Sequence, residues 1–325
     1  MMTDSTLRTR IHRMTQVGVP GTPGAVRILD LRQENGHDLP EFEAGAHVDL
    51  VVSDSVIRQY SLLNAPSERH RYVVAIALDP ASRGGSRHLH DWVEEGDVLS
   101  ISAPRCHFHL VEDAPYSVLV AGGIGVTPIW SMAQRLIALG RPFEFHFGAR
   151  SAAAAPLLAE IAAGLATAGV ALHTVFADED DRGLDLAGIV GRAPDDAHFY
   201  ACGPSGMLDA YLAAGQGIPE GRLHYERFAG TSAAATDGGF EIELARTGGR
   251  YAVEPGQTIL EALKLHGINV SHSCAEGICG ACEARVISGI PDHRDDVLSD
   301  AEKASNASMM VCCSGSRSPM LILDL

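Results

Sequence analysis

No run of eighteen apolar residues occurs in the 325-residue chain, so the sequence offers no membrane-spanning helix. The opening "MMTDSTLRTR" lacks the apolar core of a secretory signal, and the expected location is cytoplasmic. Thiols in that compartment stay reduced, which weakens a disulfide reading of any cysteine cluster. Positive charge is also scarce: 25 Lys and Arg against 41 Asp and Glu leave a formal net charge of −16. Nucleic acid needs a basic surface, so that class of partner is excluded. The acidic balance suits a soluble enzyme, or one that docks a partner bearing a basic patch. There are no internal repeats and no low-complexity tract beyond one alanine-rich helix. At this length the chain should form two or three domains.

Three kinds of pattern follow one another. Residues 1–104 hold short strands such as "AHVDLVV", "YVVAIAL" and "DVLSISA" between turn residues, which predicts a small antiparallel barrel. A short helix is expected near "SRHLHDWV". From "YSVLVAGG" onward, strand and helix alternate for roughly 110 residues, which predicts a parallel sheet covered by helices. The expected elements are "PIWSMAQRLIALG" (helix), "FEFHFGA" (strand), "APLLAEIAAGLATAG" (helix), "ALHTVFA" and "HFYACGP" (strands) and "SGMLDAYLAAG" (helix). The small-residue stretch "AGTSAAATDGG" then reads as a linker. Beyond it lie a hairpin ("FEIELAR", "RYAV") and a helix opened by a Thr258–Glu261 capping box and stopped at Gly267. "MMVCCSG" and "MLILDL" are two closing strands.

The segment "CAEGICGAC" could carry a disulfide, a structural zinc or an iron–sulfur cluster. Its spacing, Cys274-x4-Cys279-x2-Cys282 with twenty-nine residues before Cys312, is that of plant-type [2Fe-2S] ferredoxins. Three thiolates on one loop can surround a compact cluster, with a fourth coming from a distant segment. Gly277 and Gly280 let the backbone approach and aim its N–H groups at sulfur. Zinc normally takes two close pairs of ligands, and Cys312 has no partner two residues away. Read as a strand, the adjacent Cys312 and Cys313 point to opposite faces, so only one of them can be a ligand. The spacing does not say which.

"AGGIGVTPI" (121–129) joins a buried strand to a helix, with Thr127 read as N-cap and Pro128 as first helical residue. Gly122, Gly123 and Gly125 allow a phosphate to approach a helix start, or simply make a tight turn. "ACGPSGM" (201–207) ends another strand, and ligands of open α/β sheets bind at such ends. Cys202 reads equally as a buried small residue. In the barrel region "RQYSL" (58–62) sets a cation, an aromatic and a hydroxyl on alternating strand faces, and "RGGS" (83–86) precedes a short helix.

Taken in order, Arg58-x-Tyr60-Ser61, Gly84-Gly85-Ser86, Gly122–Pro128, Cys202-Gly203-Pro204 and the cysteine loop resemble the phthalate dioxygenase reductase family, vanillate demethylase reductases included. The resemblance covers nearly the whole chain. It implies a multidomain protein: a six-stranded antiparallel flavin-binding β-barrel (1–107), an α/β parallel-sheet NAD-binding domain (108–228), a linker (229–238) and an α+β β-grasp ferredoxin domain (239–325). By resemblance, Arg58 and the Gly84–Ser86 helix start hold the flavin phosphate. Tyr60 packs on the isoalloxazine, Ser61 bonds near its N5, and Phe228 of "YERF" covers the ring. The "GGS" form looks like the FMN branch. Cys202, Gly203 and Pro204 lie beside the nicotinamide, and Gly122, Gly123, Gly125, Thr127 and Pro128 line the nucleotide. The resemblance assigns Cys312 as fourth ligand beside Cys274, Cys279 and Cys282. "VCCSGSR" carries an extra Ser-Gly before Arg317 relative to the commonest family pattern. Cys106, in "PRCHFHL", reads as structural.

The implied activity is electron transfer from NADH through FMN and the cluster to a partner, expected to be a terminal oxygenase of the Rieske non-haem iron type acting on an aromatic acid or aryl ether. NADPH is less favoured, because "GARSAAAAPLL" holds one arginine, Arg150, to clamp a 2′-phosphate. Two alternatives are a reductase for a haem-thiolate monooxygenase and a non-enzymatic metal-binding or redox-sensing protein. No general acid or base is called for, and a monomer is expected.

Overall fold

The computed structural model describes residues 6–325 apart from 23, 54–55, 81–83, 181, 220 and 231. The chain divides into two compact units, Met1–Glu226 and Arg227–Leu325.

The first unit opens with an antiparallel sheet: β1 (Leu7–Val17), β2 (Val26–Gln33), β3 (Ala46–Ser53), β4 (Val56–Ser61), β5 (Tyr72–Ala77), helix α1 (Gly85–Asp91), β6 (Val98–Ile101) and the two-residue β7 (Arg105–Cys106). Six strands run in the order β4-β3-β6-β1-β2-β5, and β7 pairs with β3. A bridge between Leu62 and Val74 joins the β4 end of that path to β5, so the sheet closes on itself. Its interior is aliphatic, with Leu29, Leu31, Val48, Leu50, Val74 and Ile76 all but sealed from solvent. Thr9 and Ile11 of β1 are buried between exposed arginines, the period of two that a one-sided strand requires.

The second half of this unit is a parallel sheet: β8 (Ser117–Gly122), α2 (Val126–Leu139), β9 (Phe143–Ala149), α3 (Leu158–Thr167), β10 (Leu172–Phe176), α4 (Leu186–Arg192), β11 (His198–Cys202), α5 (Ser205–Ala214) and β12 (Leu223–Glu226). The order is β10-β9-β8-β11-β12. The chain winds outward from β8 to β10 and then crosses back to β11. The carboxyl ends of β8 and β11 therefore flank the switch point, where such sheets leave a crevice. All six residues of β8 are buried, as its unbroken apolar run requires. Helix α3 is shorter than its sequence suggests. Leu157 takes a left-handed φ of 61°, and residues 152–154 form a separate 3-10 turn. Helix α4 and edge strand β12 are not legible as runs. The first is seven residues long with two glycines, and the second is four residues with one aliphatic side chain.

The second unit contains β13 (Phe240–Leu244), β14 (Arg250–Val253), α6 (Ile259–Leu265), β15 (Glu283–Ser288), β16 (Pro291–Asp292), α7 (Asp300–Ser305), β17 (Ser308–Met310), β18 (Gly315–Ser316) and β19 (Met320–Leu323). Its mixed sheet runs β14-β13-β19-β15-β17, with β13 and β19 parallel at the centre. Helix α6 packs Ile259, Leu260 and Leu263 into this core. The capping box is present: the Glu261 amide donates to Thr258 Oγ1 (3.2 Å), and the Thr258 amide donates to Glu261 Oε2 (2.9 Å). Gly267, at φ 74°, follows the helix end. Ala235, in the small-residue stretch, donates its amide to the Cys313 carbonyl (2.7 Å), which holds that stretch on this unit. No helix among the described residues is long and apolar enough to cross a membrane.

Candidate redox site

On the barrel, strand register sets Leu50 opposite Arg58, Val48 opposite Tyr60, and His47 opposite Ser61. Tyr60 is half-buried, and burial raises its phenol well above the usual range. Arg58 lies directly over the start of α1: a Cβ on Gly85 would sit 2.7 Å from Arg58 Cγ and Nε. Gly84 takes φ 95° at the helix start, and buried Ser86 accepts a hydrogen bond from the Asp79 amide (3.2 Å). The structure thus brings Arg58, Gly84, Gly85 and Ser86 together; Arg83 lies outside the described residues. His47 is buried, and desolvation, then the charge of Arg105, pulls its imidazole down to about 4, so it is neutral at physiological pH.

The two glycine loops meet at the switch point, where Ala121 of β8 pairs with Cys202 of β11. A Cβ on Gly122 would lie 2.7 Å from Pro204 Cδ and Met207 Sδ, and one on Gly203 would lie 2.9 Å from Gly122 Cα. A Cβ on Gly125 would run into the Cys202 carbonyl. These are close backbone approaches that only glycine permits. The expected cap is displaced, however. The chain leaves β8 through a 3-10 turn at Gly123–Gly125 and enters α2 at Val126, so Thr127 and Pro128 are its second and third residues. Thr127 donates its hydroxyl to the Ile124 carbonyl (3.0 Å) and so ties the turn to the helix instead of capping it.

One residue at this site carries no sequence signal. Glu226, the last residue of β12, is in register with Cys202. Its carboxyl bonds to the side chain of Ser61, which ties the parallel sheet to barrel strand β4. Although the residue keeps some exposure, Oε2 is buried with no hydrogen-bond partner among the described residues. Burial pushes this carboxyl up to about 8, against the opposing effect of the Ser61 bond, so it carries a proton at neutral pH. Cys202 is sealed from solvent; burial, reinforced by Glu226, keeps its thiol protonated. The half-buried Glu226 thus links buried Ser61 of the barrel to the strand pair that holds buried Cys202.

In the second unit, Cys274, Cys279, Cys282 and Cys312 are all buried and unbridged. Cys279 and Cys312 are the neighbours that most affect the Cys274 thiol, Cys279 lowering it and Cys312 raising it, and burial adds to the rise. The Cys279 thiol is raised far above its ordinary value, first by its bond to Cys274 and then by burial. Ala275, Gly277 and Gly280 take φ of 54°, 74° and 71°, a winding that turns backbone amides inward. The Glu276 amide accordingly donates to Cys274 Sγ (3.3 Å). Among the described residues no three of these thiols lie within 4.8 Å of one another, as one zinc ion would require. Donor type, amide bonding and spread all fit a two-iron cluster. Cys312 and Cys313 do not sit on a strand. β17 ends at Met310, and the amides of Cys313 and Ser314 both return to the Met310 carbonyl (3.3 and 3.0 Å). The pair thus lies in a turn and not on a strand, so the alternation of strand faces does not apply to it, and Cys313 Sγ bonds to the Met310 carbonyl (3.8 Å). Phe228 lies at the head of this unit, 39% exposed.

A barrel with Arg58 set over the start of α1, a parallel sheet with glycine loops at its switch point, and a four-cysteine loop define a flavin- and [2Fe-2S]-dependent, NAD-linked oxidoreductase. Residues 242–315 match the 2Fe-2S iron-sulfur cluster binding domain family. The chain is 49% identical over 300 residues to phenoxybenzoate dioxygenase subunit beta of Ectopseudomonas oleovorans, covering 92% of this chain and 93% of that one. It is 47% identical to tetrachlorobenzoquinone reductase of Sphingobium chlorophenolicum, covering 96% and 97%. The crystal structure of phthalate dioxygenase reductase superposes with a TM-score of 0.76 at 34% identity, over 99% of this chain and 98% of that one. The chain belongs to the phthalate dioxygenase reductase family, the reductase components of multicomponent oxygenases.

Proposed function

We propose that this reductase is a cytoplasmic monomer that takes hydride from NADH onto FMN and passes single electrons through its cluster to a terminal Rieske-type oxygenase acting on an aromatic acid or aryl ether. When bound, the flavin supplies conversion between two-electron and one-electron chemistry, which neither nicotinamide nor cluster provides alone. The domains on this reading are 1–107 for flavin, 108–228 for NAD, a linker at 229–238 and 239–325 for the cluster. Arg58 and the Gly84–Ser86 turn hold the FMN phosphate, while Tyr60 and Phe228 pack on its ring. Gly122, Gly123, Gly125, Thr127, Pro128, Gly203 and Pro204 form the floor on which the dinucleotide lies. Cys202 sets the nicotinamide's depth, and its buried, neutral thiol excludes water from the hydride path. Ser61 and Glu226 hold a proton at Ser61 Oγ, the polar end of that path. Cys274, Cys279, Cys282 and Cys312 ligate the cluster.

The observation that carries this reading is the joining of the glycine loops, Cys202 and Glu226 to barrel residue Ser61 within one unit. Its test is the Cys279→Ser variant. NADH should still bleach the flavin absorption, while reduction of cytochrome c or of a purified oxygenase falls by at least about a hundredfold. A colourless wild-type protein, or a variant that still reduces the oxygenase, would sink it. The tetrachlorobenzoquinone reductase likeness favours a second reading, direct flavin reduction of a quinone. In that case Cys279→Ser leaves quinone reduction intact.

A further inference from the structure

Away from the electron path, Glu43, Cys106 and His109 bring a carboxylate, a thiol and an imidazole together with their ligand atoms all within 4.8 Å of one another. The fold fixes this meeting. Ala46 pairs with Cys106 between β3 and β7. Gly45, at φ 91°, has the Phe108 carbonyl where a Cβ would be and Met132 Cε 2.9 Å away, so the 43–46 turn lies flat on the 105–109 segment. Cys106 Sγ is held 3.8 Å from the Ala44 carbonyl. His109 Nδ1 and Glu43 Oε2 are 3.1 Å apart. Around zinc, bond lengths of about 2.0–2.3 Å put neighbouring tetrahedral ligands roughly 3.3–3.6 Å apart. The His109–Glu43 pair already stands near that separation. The sulfur needs to close by about 1 Å at most. Side-chain rotation supplies this, because His109 and Glu43 are 65% and 71% exposed while Cys106 is anchored.

We propose that Glu43, Cys106 and His109 form a site for one thiophilic divalent cation of the zinc class, with the fourth position open to water. Sulfur with nitrogen selects such an ion over magnesium or calcium, which take oxygen ligands. Burial pushes the Cys106 thiol up to about 11, opposed by a hydrogen bond to the Phe108 backbone and assisted by the charges of Glu43 and Glu226. Arg105, His107 and His109 lie on the same segment, and Asp49 and His47 face it from β3. The thiol is therefore protonated before metal arrives. Forming the metal–sulfur bond breaks the S–H bond and sends one proton to solvent, with no change in oxidation state. His109 Nδ1, which donates to the Glu43 carboxylate in the metal-free protein, turns a lone pair to the metal when the imidazole takes its Nε2–H tautomer, with no net proton change. Occupancy clamps the β3 turn to the segment that leads from the barrel into the parallel sheet.

The test is a titration of full-length, cluster-loaded protein with Co2+, followed by difference absorption. One Co2+ per chain should bind, with a thiolate charge-transfer band and the visible bands of tetrahedral cobalt, displaced by Zn2+. One proton should be released per ion as the metal–sulfur bond replaces the S–H bond. Cys106→Ser should abolish the charge-transfer band. His109→Ala, at an exposed position, should weaken binding at least about tenfold. Absence of binding at micromolar metal, unchanged spectra in both variants, or uptake matched by loss of cluster absorption would each overturn the site.

Discussion

Replacing Glu226 by Gln removes a proton-binding group whose value is displaced by burial, and the consequence is a specific pH dependence of stability. Unfolded, this carboxyl titrates near 4.5; folded, near 8. The native state thus holds the proton more tightly. The stability this provides is fully present below about pH 4.5 and is lost as pH rises through about 8. At about 1.4 kcal/mol per pH unit, the interval sets a ceiling of about 5 kcal/mol, and the residue's partial exposure lowers the working figure to about 3 kcal/mol. Gln keeps an acceptor for Ser61 and never ionises. Any cost of burying its amide is the same at every pH. The variant should therefore gain on wild type steadily between about pH 5 and about pH 8 and then level off. For a unit of this size that is roughly 6–12 °C in Tm. The assay is thermal unfolding of both proteins, matched in flavin and cluster content, across that range. A Tm difference constant to within about 2 °C would refute the buried, protonated carboxyl.

Three further outcomes follow from the packing. Gly125→Ala has a permissible φ of −62° but drives a Cβ into the Cys202 carbonyl, so flavin content should hold while KM for NADH in stopped-flow flavin reduction rises by about tenfold or more. Gly277→Ala faces both φ 74° and the Cys313 sulfur 2.5 Å from its Cβ, and visible cluster absorption per flavin should fall to less than about half. Adding Cys313→Ala should recover part of that loss, because the sulfur clash goes while the backbone strain and the close approach of Asp295 (Cα 3.1 Å) remain. Thr258→Ala removes the capping box of α6 and should destabilise the second unit by about 1 kcal/mol, read as a lower thermal midpoint for loss of cluster absorption.

What could be read in the sequence was whatever a local rule determines. The unbroken apolar run of β8, the Thr258–Glu261 box and the cysteine spacing each carry their structural reason within a few residues. Thr127 and Pro128 looked like a helix start because the types fit an N-cap and first-turn proline. The 3-10 turn at Gly123–Gly125 begins the winding sooner, and that choice is set by packing of Gly125 on Cys202, seventy-seven residues away in sequence. Glu226 was invisible for the same reason. A glutamate ending a four-residue strand is unremarked until β12 is laid beside β11 and Ser61 arrives from the barrel.

The paired cysteines show how such a long-range choice changes a local inference. On a strand, Cys312 and Cys313 would face apart, and the non-ligand would be lost to the opposite side of the sheet. In the turn after Met310, the Cys313 thiol instead faces the cysteine loop, 2.5 Å from where a Gly277 Cβ would lie. Cys313 bonds weakly to the Met310 carbonyl (3.8 Å) and to Ser314 Oγ (3.9 Å), and its sulfur fills the space beneath Gly277. The Gly277 carbonyl in turn accepts from the Asp296 amide (2.9 Å), and Asp295, whose Cα lies 3.1 Å from the position of a Gly277 Cβ, closes the remaining side. Gly277 is thus demanded twice, by a left-handed backbone that aims amides at sulfur and by a sulfur that leaves no room for a side chain. A larger residue at 313 would press on the loop that carries three of the ligands, and a smaller one would leave it unsupported. On the proposed ligand set, Cys313 therefore acts on the cluster through the shape of its loop, from a position that spacing alone made indistinguishable from that of Cys312.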